Sequence, residues 1–554
     1  MPPTTLFKNA TIVDGSGDAA RVGDVAIRGD IILAADDCAG ITADTLVDAG
    51  GLVLAPGFIE IHTHYDPQLC WDGFATPALE HGVTTVLVGN CSLGLAPAGP
   101  SLSAKITRMF NRIEDLDSAF FEQAVPYAWT TVPEYLEWLR PRLEVNVGIN
   151  VGHTNLRHSV MGEAAQQRAA TPEERERICR ALEAAVSCGA FGLSTAYDHI
   201  RDESNAPVAS ALADLEERLA LAGTLQRAGR SFYQCNVNPL HPQQRVQQFE
   251  ELARISREGQ VVCSALGIME NPIFPEHWRA EVDMLDGLNA EGTRLYAECQ
   301  VRPLDMSFSL SGNWIGAYYM ANWAPIMVSA PQARTGLFSE PARRAGLVDD
   351  IEAFRVVTAL ITVKSVQHPE NGRWVGLTLQ QIADAQGVPI GEAMIELALK
   401  DELSTVFDWS NVFHADIGAV ATMLAHPRVL LGGSDAGAHV SQFCGEGDAT
   451  HLLSRFVRDA GRFSLEQAVF LLTGNLATRL GIHRRGMVRP GNFADLVLFD
   501  PAALERGPET LVRDLPGGGA RYKRDARGIH SVYVNGSRVW DGSAYASHRA
   551  GRLI

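Results

Sequence analysis

His62-Thr63-His64 carries the sharpest chemical signal in the chain, shortly after Ala55-Pro56-Gly57-Phe58. Side chains two apart on a strand project from one face, so both imidazoles can meet a single cation. Asp435, in LLGGSDAGAH, adds a carboxylate that can ligate the same cation and take a proton from its water. Together they predict a bound cation with a carboxylate placed to take a proton from its water. Glu298, Gln300 and Arg302 alternate along YAECQVRP. A guanidinium at Arg302 suits bidentate contact with a substrate carboxylate, and a buried ion pair would account for it equally well.

Groups this far apart in sequence meet only if a fold gathers them. Eight apolar runs alternate with helical stretches, at 57–64, 84–91, 145–153, 189–195, 231–237, 261–266, 294–301 and 429–437. Polar residues collect at their C-terminal ends. That pattern predicts an α/β fold, a (β/α)8 TIM-like barrel over 57–486 with its site at the strands' C-terminal face. PEERERICRALEAAVSCG (172–189) reads as one of its helices, with acids early and a glycine at the end. Short alternating strands broken by Gly and Asp turns fill residues 1–56 and return within 487–554, which predicts one small β-sandwich formed from both termini. Two stretches exceed a plain barrel. One is an excursion at 101–139; the other is an insertion at about 306–366, between strands seven and eight, which holds Trp314 and Trp323. Segments of this kind wall or cover a site, or serve as packing extensions or oligomer contacts, and the sequence leaves both open.

Composition narrows the field further. The 554 residues are 46% hydrophobic and 20% charged, enough to bury a sizeable core. A net charge of −18 argues against a nucleic-acid partner, which clustered Lys and Arg would have to hold. Nine cysteines without C-x-x-C spacing give no zinc ribbon or disulfide framework and suit a cytoplasmic setting. The start, MPPTTLFKNATIVDG, lacks a basic head followed by an apolar stretch, and no run approaches the roughly 18 apolar residues of a membrane span. No leader and no membrane contact are expected. The expected partner is a small-molecule substrate, with a homo-oligomer left open.

Several longer motifs, in order, carry a resemblance: APGFIEIHTHYD, GVTTVLVGNCSLGLAP, RIEDLD, VPEYLEWL, NVGHTNLRHSVMG, GAFGLST and HPRVLLGGSDAGAH. They resemble the metal-dependent amidohydrolase superfamily, and within it the N-acyl-D-amino-acid deacylase (D-aminoacylase) branch, over nearly the whole chain. The resemblance implies cleavage of an amide C–N bond by metal-activated water, with a divalent ion, zinc foremost. It also implies a further ligand at Cys91, the second-strand cysteine of GNCSLGLAP, whose thiolate would suit a zinc-like ion. By the same token His153, at the end of the third strand, is a candidate to hydrogen-bond a substrate carboxylate or oxyanion, and a structural histidine tying down a loop would account for it equally well.

In one respect the chain departs from the family. The family carries a histidine on the fifth strand and another on the sixth, and strand alignment puts Asn236 and Ala265 at those places. Asn offers only a weak neutral carbonyl and Ala nothing. The expectation is therefore one ion held by His62, His64, Cys91 and Asp435, with Asn236 turned to substrate binding. Cys263, His199 and His439 stand as candidate replacements for a lost ligand. Two other readings stay open on sequence alone: a ring-opening or carbon–carbon hydrolase on the same fold, and a metal-free binding or assembly protein.

Overall fold

The computed structural model describes residues 2–116, 118–239, 241–289 and 292–554. All eight apolar runs become strands of one parallel sheet: β1 (Phe58–Glu60), β2 (Val83–Val88), β3 (Asn146–Gly152), β4 (Gly192–Ala196), β5 (Phe232–Asn236), β6 (Val262–Leu266), β7 (Leu295–Cys299) and β8 (Val429–Leu431). Each pairs with the next in sequence order. The ring closes just beyond β1 and β8, through a parallel bridge between Thr63 and Ala436 in which the His64 N–H donates to the Ala436 carbonyl at 2.7 Å. Gly437 permits that close approach. Its φ is +88°, and a Cβ there would stand 2.9 Å from the His64 carbonyl carbon.

Inside the barrel Ile59, Phe232, Val262, Tyr296 and Leu430 pack a floor. Two residues further along, β5, β6 and β7 present Gln234, Ser264 and Glu298. This switch from apolar to polar aims the chemistry at the C-terminal mouth. The expected helix forms at Pro172–Ser187, started by a capping box between Thr171 and Glu174.

The termini meet in one eight-stranded sheet. Thr4–Ile12, Arg21–Arg28, Ile31–Asp36, Thr45–Asp48 and Val53–Pro56 join Leu496–Phe499, Ile529–Val534 and Ser537–Trp540. The sheet curls over its own core, so that the rings of Phe7 and Tyr533 lie 5.1 Å apart although their strands are not neighbours.

Two expectations shift. Glu505–Leu515 and Gly519–Arg527 form a separate hairpin outside the terminal sheet. It lies on the barrel, where Arg521 donates to Gln68 and Lys523 pairs with Glu80. The insertion also runs past 366. Met306–Phe308, Thr362–Ser365 and Val406–Trp409 form a three-stranded sheet over a core that reaches Phe413. Val406–Trp409 is the middle strand, antiparallel to both others, so the lobe cannot end before it. Its helices at Leu379–Gln386 and Ile390–Lys400 are amphipathic, like barrel helices, which is why sequence alone drew the boundary too early. No helix among the described residues is long and apolar enough to cross a membrane.

Candidate metal centre

His62 and His64 flank Thr63, where the barrel closes between β1 and β8. Cys91 Sγ, just past β2, lies 3.4 Å from His62 Nε2 and 3.9 Å from His64 Nε2. Asp435 Oδ1 lies 3.4 and 3.6 Å from the same two nitrogens. Ligand atoms of His62, His64 and Cys91 all fall within 4.8 Å of one another. Asp435 Oδ1 is buried and has no hydrogen-bond partner. An orphaned carboxylate oxygen is costly unless something positive meets it. Two imidazole nitrogens, a sulfur and a carboxylate oxygen around one point are the donor set of a zinc-like ion. The residues present therefore fit a divalent metal.

The turns that deliver these groups are strained. Cys91, Ser92 and Asp435 have φ of +53°, +70° and +51°, left-handed backbone that costs non-glycine residues about 1–3 kcal/mol each. Such strain persists only where the surroundings over-determine it, and here it lies at the ends of β2 and β8.

Buried acids stand behind both imidazoles. Glu298 Oε2 is 2.7 Å from His62 Nδ1, and Ser264 donates to the other Glu298 oxygen at 2.7 Å. Glu114 Oε1 is 3.4 Å from His64 Nδ1. Carboxylates so placed hold each ring with Nε2 toward the ion. Burial alone would push both histidines down. Glu298 overrides it at His62, and Glu114 with Asp435 and Cys91 overrides it at His64, so both pKa values lie above the usual imidazole value. Burial raises the Asp435 carboxyl, but the imidazoles of His64 and His62 beside it outweigh that and hold the group well below the usual range. Burial pushes the Cys91 thiol up to about 11, so loading an ion must displace a proton there.

Asn236 is drawn to the site, but toward sulfur. Its Nδ2 donates to Cys91 Sγ at 3.2 Å, while its Oδ1 accepts from His199 Nε2 at 2.9 Å. His199 thus orients the amide and is not a replacement ligand. On β6 the register corrects the alignment. Asn236 pairs with Leu266, and Ala265 pairs with Cys235. Leu266 lines the cavity at the mouth; Cys263 and Ala265 belong to the large barrel core, so neither faces the ion. Leu266 has no donor atom, and the conclusion about the lost histidine stands on a different residue.

Two expected substrate contacts move elsewhere. Both ring nitrogens of His153 are engaged, Nδ1 with Thr195 at 3.0 Å and Nε2 with Glu217 at 2.8 Å, in a buried network away from the cavity lining. Arg302 is buried against Asp448, with Nε 3.0 Å from Oδ1, and donates to the Ser434 carbonyl. It braces the loop that carries Asp435 and is not among the residues lining the cavity. Glu114 went unassigned in the sequence. It ends the helix Pro100–Ile113 of the excursion, and an acid at a helix end reads as solvent-facing until the fold buries it. A cavity of about 240 Å³ opens beside this centre, lined by His64, Cys91, Glu114, Asn236 and Asp435 and by apolar side chains of the inserted lobe.

Comparison with known proteins points the same way. Residues 45–540 match the Amidohydrolase family. D-aminoacylase of Alcaligenes xylosoxydans xylosoxydans is 29% identical, with 100% of this chain and 98% of that protein covered. N-acyl-D-aspartate deacylase of the same organism is 28% identical, covering 99% and 94%. A solved D-aminoacylase structure superposes with a TM-score of 0.67 at 26% identity, covering 100% of this chain and 99% of that one. That protein is described as having a binuclear metal centre with one-metal activation and second-metal attenuation.

Proposed function

The chain belongs to the amidohydrolase family, hydrolases of carbon–nitrogen bonds other than peptide bonds, and from that premise we propose that it cleaves the amide bond of an N-acylated small molecule. One divalent ion, zinc foremost, is held by His62, His64, Cys91 and Asp435. The observation that carries this reading is the cluster of His62, His64 and Cys91, with Asp435 Oδ1 3.4 and 3.6 Å from the two imidazole nitrogens and without a hydrogen-bond partner. One-metal activation in D-aminoacylase supports a single working ion.

When bound, the ion supplies Lewis-acid polarisation of the amide carbonyl and acidifies water. The rest falls to the chain. Glu298 and Glu114 keep His62 and His64 oriented, so the carbonyl and the water meet a fixed frame. Asp435 faces the open cavity and receives the proton of the attacking water, then passes it to the departing nitrogen. Asn236 donates to Cys91 Sγ and disperses part of the thiolate charge. Apolar walls keep bulk water from the reacting carbonyl.

Protein purified without chelator should contain metal, lose amide hydrolysis when stripped, and regain it with one equivalent of zinc per chain. Amine release from a panel of N-acyl-D-amino acids and their amides is the readout. Undiminished hydrolysis by the stripped protein would refute the reading.

A further inference from the structure

The cavity beside the metal centre is walled in a way that bears on what enters it. The inserted lobe contributes Met306, Phe354, Val357 and Trp409, and the loop after β6 contributes Ile268 and Met269. Among the described residues of the lining there is no Lys or Arg; its charged side chains are Glu114, Glu298 and Asp435. Arg302, which the sequence offered as a carboxylate clamp, is engaged by Asp448. The positive charge of a divalent ion would already be balanced by the Cys91 thiolate and Asp435. A substrate carboxylate entering here would be desolvated against acids with no cation to meet it.

Beyond the metal, His414 and His439 line the same cavity, are 4% and 6% exposed, and each leaves Nδ1 without a hydrogen-bond partner. Burial and the charge of Arg302 push His414 down to about 3, so its ring stays neutral. A neutral imidazole exchanges a hydrogen bond with a carbonyl or hydroxyl but offers no charge to an anion.

We propose that the substrate is an uncharged amide with a long or aromatic acyl group, selected by the apolar wall of the inserted lobe and addressed through His414 and His439. This rests on the amide-hydrolase reading above and departs from the N-acyl-D-aspartate named for one relative, which carries two carboxylates.

The test uses the metal-loaded protein and four compounds, acetyl and octanoyl groups each joined to D-alanine and to D-alaninamide. Each buried methylene is worth about fourfold in binding. Octanoyl-D-alaninamide should exceed acetyl-D-alaninamide in kcat/KM by roughly 100-fold or more, and exceed octanoyl-D-alanine by at least about tenfold. Met269→Arg should narrow the second ratio by giving the carboxylate a partner, and an unchanged ratio in the folded variant would count against the proposal. Preference for acetyl-D-alanine would overturn this inference and leave amide hydrolysis standing. Cleavage of none of the four would overturn both.

Discussion

Each imidazole of the centre has a buried glutamate behind it, and the two are not equivalent. Glu298 is at hydrogen-bond distance from His62 and is itself fixed by Ser264, whereas Glu114 stands 3.4 Å from His64 at the end of a helix. Glu298→Gln should therefore lower metal affinity by roughly 10–100-fold, the usual effect of losing such a support. Competition with a zinc chelator reads it, and unchanged affinity would remove Glu298 from the account. The proposed function gives Asp435 two tasks, ligand and proton carrier. Asp435→Asn should lower turnover by roughly 10²–10⁴-fold even in excess metal. Full activity of that variant with metal restored would assign the proton to a different residue.

At the scale of elements, the end of β7 divides its alternating side chains among three tasks. Glu298 supports His62, Gln300 lines the cavity, and Arg302 pairs with Asp448 in a buried ion pair. Removing one partner of such a pair leaves the other charge uncompensated. Arg302→Met should cost about 3–5 kcal/mol of stability, seen as an earlier urea transition. A raised KM with unchanged stability would restore Arg302 as a substrate clamp. The sequence made the eight strands legible because each is an apolar run ending in polar residues, and His62, His64 and Asp435 lie at such ends. It could not show register. A shift of one residue decided whether Ala265 or Leu266 faces Asn236, and local pattern contains nothing that fixes it. Nor could it show which partner a buried charge finds. For Arg302 the sequence left a substrate clamp and a buried ion pair equally open, and Asp448, distant in sequence, decides for the pair; for His153, Thr195 and Glu217 take both nitrogens and favour the structural role. The lobe's far boundary failed for a related reason, since its own helices imitate those of the barrel.

Across the whole molecule, three histidines, His81 and His414 buried and His451 half-buried, tie stability to pH. His81 is bonded to Thr450 and to the carbonyl of Arg524 in the hairpin; His414 lines the cavity and His451 lies beside the loop after β8. Burial foremost pushes each down to about 3 from an ordinary value of 6.5. Between those values the unfolded chain binds these protons and the native one does not. Stability should then fall as pH drops from about 6.5 toward 3, because the slope follows the excess protons on the unfolded state. Urea midpoints measured from pH 7.5 down to pH 4.5 check this, and a flat profile would contradict it. The seam that closes the barrel at Thr63 and Ala436 also brings the proposed metal ligands together, so fold and centre stand together. The most direct test is anomalous scattering at the zinc edge from crystals of protein purified without chelator. One peak per chain is expected, at roughly 2.0–2.3 Å from the donor atoms of His62, His64, Cys91 and Asp435. Two peaks in the barrel, a peak held by other residues, or none would contradict it.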